Sequence, residues 1–464
     1  MILSKIGVLA LVTDRIYKFL FLISLSVGFA GSAVASDMVS IELTKALERS
    51  DTIAAARQGL RASVERITVA NKSLDLTTTL SVTGTAAQTS ANEQDFTSSD
   101  SSNLSLTVKK PIYDGGLADA ETSAALLVVE RARIGLAQAE QAVLQESLSA
   151  YVNLVAARDR VVLEKANVNR LEEYLKATQV RLNVGEATPT DLAATRARLA
   201  RAQASLITAE SDLATAEETY RSLIGVPPVQ IDLPQLPPRM PETIIAAGDA
   251  AEATSLSHRL VMIDQRDALA SLEVLTSRVR PNINLEVTGK TMEADSDLRD
   301  SDEVSASLVL SMPIFVSTTV RAASRAAVAD HRSAIFAERD SKRDVRLRAE
   351  NAQRLFLSQN AVIKAFEAEL ESATLFRDGT RAEADFGLKT VLDVLDAEQD
   401  VVSAEVSLLL ARRDRINAGY AVLAAIGLLN ADTLGLSSGA LAEDNSLIEL
   451  PIRLKPLPTL VYPE

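Results

Sequence analysis

Hydrophobic and polar positions fall into two periodicities that alternate along the chain. From Leu117 to Asn183 there is no Pro and a single Gly, Gly135, among abundant Ala, Leu, Val, Glu and Arg. That pattern predicts one uninterrupted helix, roughly 100 Å long at about 1.5 Å per residue. A shorter helix is predicted from Pro189 to Ile224, and the same order returns at Val320–Phe386 and Val391–Ile426. Helices of this length belong to coiled-coil or tubular packing, and frequent Ala such as Ala118, Ala120, Ala124 and Ala125 lets backbones approach closely. Ahead of each helical pair the period becomes two. Ile283, Leu285 and Val287 alternate with Asn284, Glu286 and Thr288, and Val304, Ala306 and Leu308 alternate with Ser305 and Ser307. The earlier copy reads as strands at Leu80–Gln88 and Leu104–Lys109, joined by a polar loop over 89–103, with 290–303 as the later loop.

The two halves match at a fixed offset. Lys110-Pro111-Ile112-Tyr113 is echoed by Met312-Pro313-Ile314-Phe315, Gly185 by Gly387, Thr188 by Thr390, Asp191 by Asp393, and Leu223-Ile224-Gly225 by Ala425-Ile426-Gly427, each 202 positions on. Upstream, Val82-Thr83-Gly84 corresponds to Val287-Thr288-Gly289 at 205, so three residues are inserted between Gly84 and Pro111. Such changes are tolerated in surface loops. The chain therefore divides into a first repeat (36–225, strands about 80–109), a Pro-rich linker (226–250), a second repeat (251–427, strands about 283–312) and a C-terminal tail (428–464).

Between the two helices of each repeat lies a compact motif. Gly185 and Gly387 suit the left-handed conformation that closes a helix. Thr188 and Thr390 follow as caps of the next helix, Pro189 fits its first position, and Asp191 and Asp393 complete a Thr-x-x-Asp capping box.

Residues 1–35 read as an export signal: Lys5, Arg15 and Lys18 precede an apolar stretch, Phe19–Ala30, and then Ala33-Val34-Ala35. The stretch is too brief for a comfortable membrane span. Removing these residues takes away a net charge of +2, so the formal net charge of −14 becomes −16. Nucleic acid is not an expected partner of so acidic a chain. There is no Cys, which excludes disulfides, thiolate metal sites and a lipid-modified N-terminal Cys. Trp is absent, and the two His, His258 and His331, are expected on exposed helix faces, so neither a metal site nor a cofactor site is expected. Paired carboxylates such as Glu172 and Glu173 read as a solvated helix face, and no catalytic group is expected. With no apolar run long enough for a helical span after the signal, a membrane segment must be built from strands.

The signal, the duplicated strand-strand-helix-helix unit, the Pro-apolar-aromatic sequence after each hairpin and Gly-x-x-Thr-x-x-Asp at each tip together resemble the TolC-like outer-membrane factors over roughly residues 37–430. The resemblance implies a mainly α fold with a small transmembrane β part, in which a homotrimer forms a twelve-stranded β-barrel on a long α-helical periplasmic tube. It implies an outer-membrane channel subunit, the exit duct of a tripartite efflux pump or type I secretion system. Partners so implied are a periplasmic adaptor (membrane fusion) protein, an inner-membrane pump or ABC exporter reached through it, and outer-membrane lipid. It also implies a periplasmic gate at Asp191, Lys389, Asp393 and Asp396, with Lys389 and Asp191 tying neighbouring helices and the aspartates forming rings. No repeated structural need is expected for Asp396, whose counterpart is Ala194. Gly185, Thr188, Pro189, Gly387, Leu388 and Thr390 would form tip turns and adaptor contacts, and Pro111, Tyr113, Pro313 and Phe315 the barrel-to-helix transition. One departure is Pro281 before the third strand, where the first copy has Leu76. The rival reading is a periplasmic coiled-coil adaptor or structural protein, which leaves the alternating hairpins unexplained.

Overall fold

A computed structural model of the chain describes residues 30–90, 96–227, 233–234, 236, 240–294, 301–315 and 317–436. Residues 1–29 of the expected export signal, much of the Pro-rich linker and the tail beyond 436 lie outside the described residues. The elements are α1 (Ala30–Arg49), α2 (Asp51–Ala70), a 3-10 turn (Asn71–Leu74), β1 (Thr77–Ser90), β2 (Phe96–Tyr113), α3 (Leu117–Asn183) and α4 (Pro189–Ile224). There follow α5 (Ile244–Thr254), α6 (Leu256–Ser277), β3 (Asn282–Ala294), β4 (Ser301–Ser311), α7 (Thr318–Asp385) and α8 (Val391–Ala425).

Three expectations are corrected. The polar stretches 89–103 and 290–303 are largely strand, because Thr97–Asn103 find backbone partners on β1 and Lys290–Met292 on β4. Pairing overrides the loop-like composition. The linker expected to reach residue 250 ends sooner, since Thr243 accepts a 3.1 Å hydrogen bond from the Ala246 N–H and opens α5. His258 and His331 are buried rather than exposed. His258 lies 3.4 Å from the Ser341 hydroxyl and 3.5 Å from Glu338, partners one helical turn apart on α7.

The helices before the strands carry their own trace of the repeat. Ser50 separates α1 from α2 and Ser255 separates α5 from α6, at the same offset of 205. Ile53 and His258, and Ile67 and Leu272, are buried equivalents at that offset.

The chain forms two compact units. In the first, small buried residues recur at heptad spacing: Ala202 and Ala209 on α4, and Ala397, Ala404, Ala411 and Ala418 on α8. Val394, Val401 and Leu408 keep the same spacing, and a strict seven-residue repeat gives coiled-coil packing. Val168, Leu171, Ala202 and Leu395 cluster in this core. In the second unit, Leu127 and Ile134 of α3 pack on Ile263 and Ala270 of α6. Arg131 bridges Asp264 and Asp267 beside that seam.

The second unit also contains the sheet, antiparallel throughout in the order β1-β2-β3-β4. Gly84 pairs with Ser102, whereas Gly289 pairs with Val304, so the three inserted residues lengthen the first hairpin beyond its glycine. Register places Leu80, Leu106, Val108, Val287, Leu285 and Leu308 on one face. The opposite face carries a 2.6 Å Ser81–Ser105 hydrogen bond, a 3.3 Å Thr107–Thr288 bond and a 3.2 Å Lys109–Glu286 ion pair.

Strand β2 leads into α3 through Asp114-Gly115-Gly116. The Asp114 carboxylate accepts from the Gly116 N–H at 3.0 Å and the Ala118 N–H at 2.6 Å, which satisfies donors at the start of α3. Gly115 has φ +74°, and a Cβ there would sit 2.8 Å from the Arg280 Cβ. Gly115→Ala is expected to destabilise the protein by about 1–3 kcal/mol. Gly59→Ala, inside α2 with open space around it, should be neutral or stabilise by roughly 0.5–1 kcal/mol. Thermal unfolding of the two purified variants checks the contrast.

Candidate functional site

The two helical tips repeat one construction. At the first, the Glu186 N–H donates to the Arg181 carbonyl at 2.8 Å and the Gly185 N–H to Leu182 at 3.1 Å, with Gly185 at φ +82°. At the second, Leu388 donates to Glu383 and Gly387 to Ala384, both at 2.9 Å, with Gly387 at φ +74°. Each pair is the double closure of a left-handed helix C-terminus, which satisfies carbonyls that would lack a partner.

The next helix starts on a reciprocal cap. The Asp191 N–H donates to the Thr188 hydroxyl at 3.1 Å, and the Thr188 N–H returns to Asp191 Oδ2 at 2.9 Å. Thr390 and Asp393 reproduce this at 3.2 and 2.9 Å. Pro189 occupies the first turn of α4 without removing a needed donor. The Asp393 carboxyl is held below its ordinary pKa, first by the Thr390 backbone N–H, then by the Thr390 hydroxyl, with Lys389 adding its charge.

Asp396 has a structural partner. Arg198 of α4 reaches it, so the second hairpin is tied to the first within one protomer. The need that the repeat does not predict is supplied across the fold. Lys389 makes no ion pair with Asp191 among the described residues, and the Asp191 carboxylate is engaged by Thr188. Behind the tips lies a further polar group. Glu398 is buried, its Oε1 accepts from the Tyr174 hydroxyl at 3.4 Å, and its Oε2 is 3.8 Å from Arg170 Nε. Burial, then the Glu398 charge, raises the Tyr174 pKa, so the phenol stays neutral. Arg198, Arg170, Tyr174 and Glu398 carry no motif, and only the fold brings them together.

Around the tips the surface is apolar: Val180, Val184, Phe386 and Leu388 are 62%, 67%, 83% and 75% exposed. In the sheet, Pro111 pairs with Asn284 and Tyr113 with Ile283, so Ile112 is an extra residue in a bulge near the end of β2. Pro313 and Phe315 lie beyond β4, and Phe315 is 91% exposed.

Thr188→Ala and Thr390→Ala are each expected to destabilise by about 1 kcal/mol. A carboxylate with a depressed folded-state pKa contributes stability above its unfolded value, about 4, and loses that contribution as pH falls through the lower folded value. Asp393→Asn should therefore flatten the acid side of the stability profile. Thermal melts followed by circular dichroism from neutral pH down to about pH 2 measure both effects.

A family model described as outer membrane efflux protein matches residues 43–226 and 252–428. The outer membrane efflux protein BepC of Brucella suis is 26% identical over 409 residues, covering 88% of this chain and 89% of that protein. The alkaline protease secretion protein AprF of Pseudomonas aeruginosa is 26% identical over 314 residues, covering 62% and 64% respectively. The CmeC outer membrane channel of Campylobacter jejuni has a similar fold, with a TM-score of 0.72 at 14% identity, covering 88% of each chain. The family match spans both repeats and begins in α1, upstream of the first strand, and on it the chain belongs to the outer membrane efflux protein family.

Proposed function

We propose that three copies of this chain form one outer-membrane channel, the exit duct of an efflux pump or type I secretion system. The observation that carries the reading is the sheet. Among the described residues β1 and β4 have no outer neighbour, while Leu80, Val82, Leu308 and Leu310 are 66–74% exposed on one face and the other face is polar. In a bilayer an open edge leaves backbone groups unsatisfied, so strands must close into a barrel, and four are too few. Copies joined β4 to β1 complete the closure, with the leucines toward lipid and the Lys109–Glu286 face toward water.

The apolar tips support docking of a periplasmic adaptor, with an inner-membrane pump or ABC exporter behind it. In this reading Lys389 meets Asp191 of the partner subunit and holds the tube shut, while Asp393 and Asp396 form acidic rings at the constriction. Exposed ion pairs contribute only about 0–1 kcal/mol each, so a docked adaptor can shift the equilibrium toward an open state.

Native mass spectrometry in detergent should give a trimer, and a stable monomer overturns the assembly. Tags inserted between Ser90 and Phe96, and between Ala294 and Ser301, should be labelled on intact cells. Labelling only after permeabilisation reverses the topology. In planar bilayers, Lys389→Ala and Asp191→Ala should increase resting conductance, and Asp396→Ala should lower cation preference. Unchanged conductance and selectivity return Asp191 to capping, Asp396 to its pair with Arg198 and Lys389 to the surface.

A further inference from the structure

Just inside the second helical tip lies a cleft of about 190 Å³ between the C-terminal ends of α3 and α7 and the start of α8. Three cations line it, Arg181, Arg381 and Lys389, with one acid, Asp385. In a chain of net charge −14 that is a local reversal of sign. The neighbouring arginines are already matched: Arg170 lies beside Glu398, Arg198 binds Asp396 and Arg377 binds Asp378. None of the three lining cations is in an ion pair among the described residues. Asp393, the acid whose pKa Lys389 helps to lower, is engaged by Thr390.

The rest of the lining is apolar or neutral. Ala177, Val391 and Val394 contribute hydrocarbon, and Tyr174 gives a hydrogen bond to Glu398 and stays uncharged. Inorganic phosphate would answer the cations and leave the hydrocarbon bare. A neutral aromatic molecule would do the reverse.

We propose that this cleft binds a small organic anion, its carboxylate held by Arg181, Arg381 and Lys389 and its compact apolar body against Tyr174 and the valines. Charge-assisted hydrogen bonds to guanidinium supply orientation, and burial of the body supplies affinity. An anion seated there also competes for Lys389. That consequence rests on the gate reading above, whereas binding itself does not.

The test is isothermal titration of the full chain in detergent at low ionic strength, with sodium benzoate as the probe and a detergent blank. Benzoate should bind saturably and at least about tenfold more tightly than acetate, which lacks the body, or benzyl alcohol, which lacks the charge. The double variant Arg181→Gln, Arg381→Gln should weaken benzoate by about tenfold or more, whereas Arg348→Gln on α7 should not change it. Ala177→Phe, which fills the cleft and leaves every charge in place, should abolish binding and guards against a double variant that misfolds. Non-saturable heat, equal affinity for either control, or undiminished binding in Ala177→Phe overturns the proposal. Because binding is read directly, a gate unaffected by Lys389→Ala leaves this result standing on its own.

Discussion

Unpaired backbone along β1 and β4 is the constraint on which the rest of this molecule depends. The sheet has two open edges among the described residues and one face of exposed leucine and valine. Water could solvate the edges but not welcome the face, and lipid accepts the face but not the edges. Only closure with further strands satisfies both. The described residues supply four strands and commit most of their length to helices, so in the proposed channel the closure comes from other copies. The Ile112 bulge and the Asp114 cap turn β2 out of the sheet and into α3 within a few residues.

The tips answer a different constraint with a device used twice. A helix that ends and another that begins within five residues leave several carbonyls and amides without partners. Gly185 with Thr188 and Asp191, and Gly387 with Thr390 and Asp393, satisfy them locally. Because the turn is stabilised by its own residues, the positions between and beside the caps are free to differ. Ala187 and Lys389, and Ala194 and Asp396, are equivalent places where the copies have diverged. In both pairs it is the second copy that carries the charge.

Local rules made much of this legible. A 67-residue stretch with one Gly and no Pro has few alternatives to a helix, and α3 runs Leu117–Asn183. The tip boxes could be read letter by letter because every partner lies within five residues. Strand length could not be read in the same way. Thr97–Asn103 are serine, threonine, aspartate and asparagine, a turn-like composition, and only pairing to β1 and β3 makes them strand. The hydrophobic pattern does not predict the helices α1, α2, α5 and α6, although Ser50 and Ser255 mark their breaks. Nor does spacing disclose Arg198 beside Asp396, or Tyr174 beside Glu398, since each pair is about two hundred residues apart in sequence.

The heptad of Ala397, Ala404, Ala411 and Ala418 has a mechanical consequence. Large residues interlock, and one helix then moves past another only by lifting whole knobs out of holes. The methyl groups are shallow and let neighbouring backbones approach closely, while Val394, Val401 and Leu408, buried beside them at the same spacing, supply the knobs. In the proposed channel such a seam sets a short, uniform spacing between helices along the tube and resists both sliding and splaying.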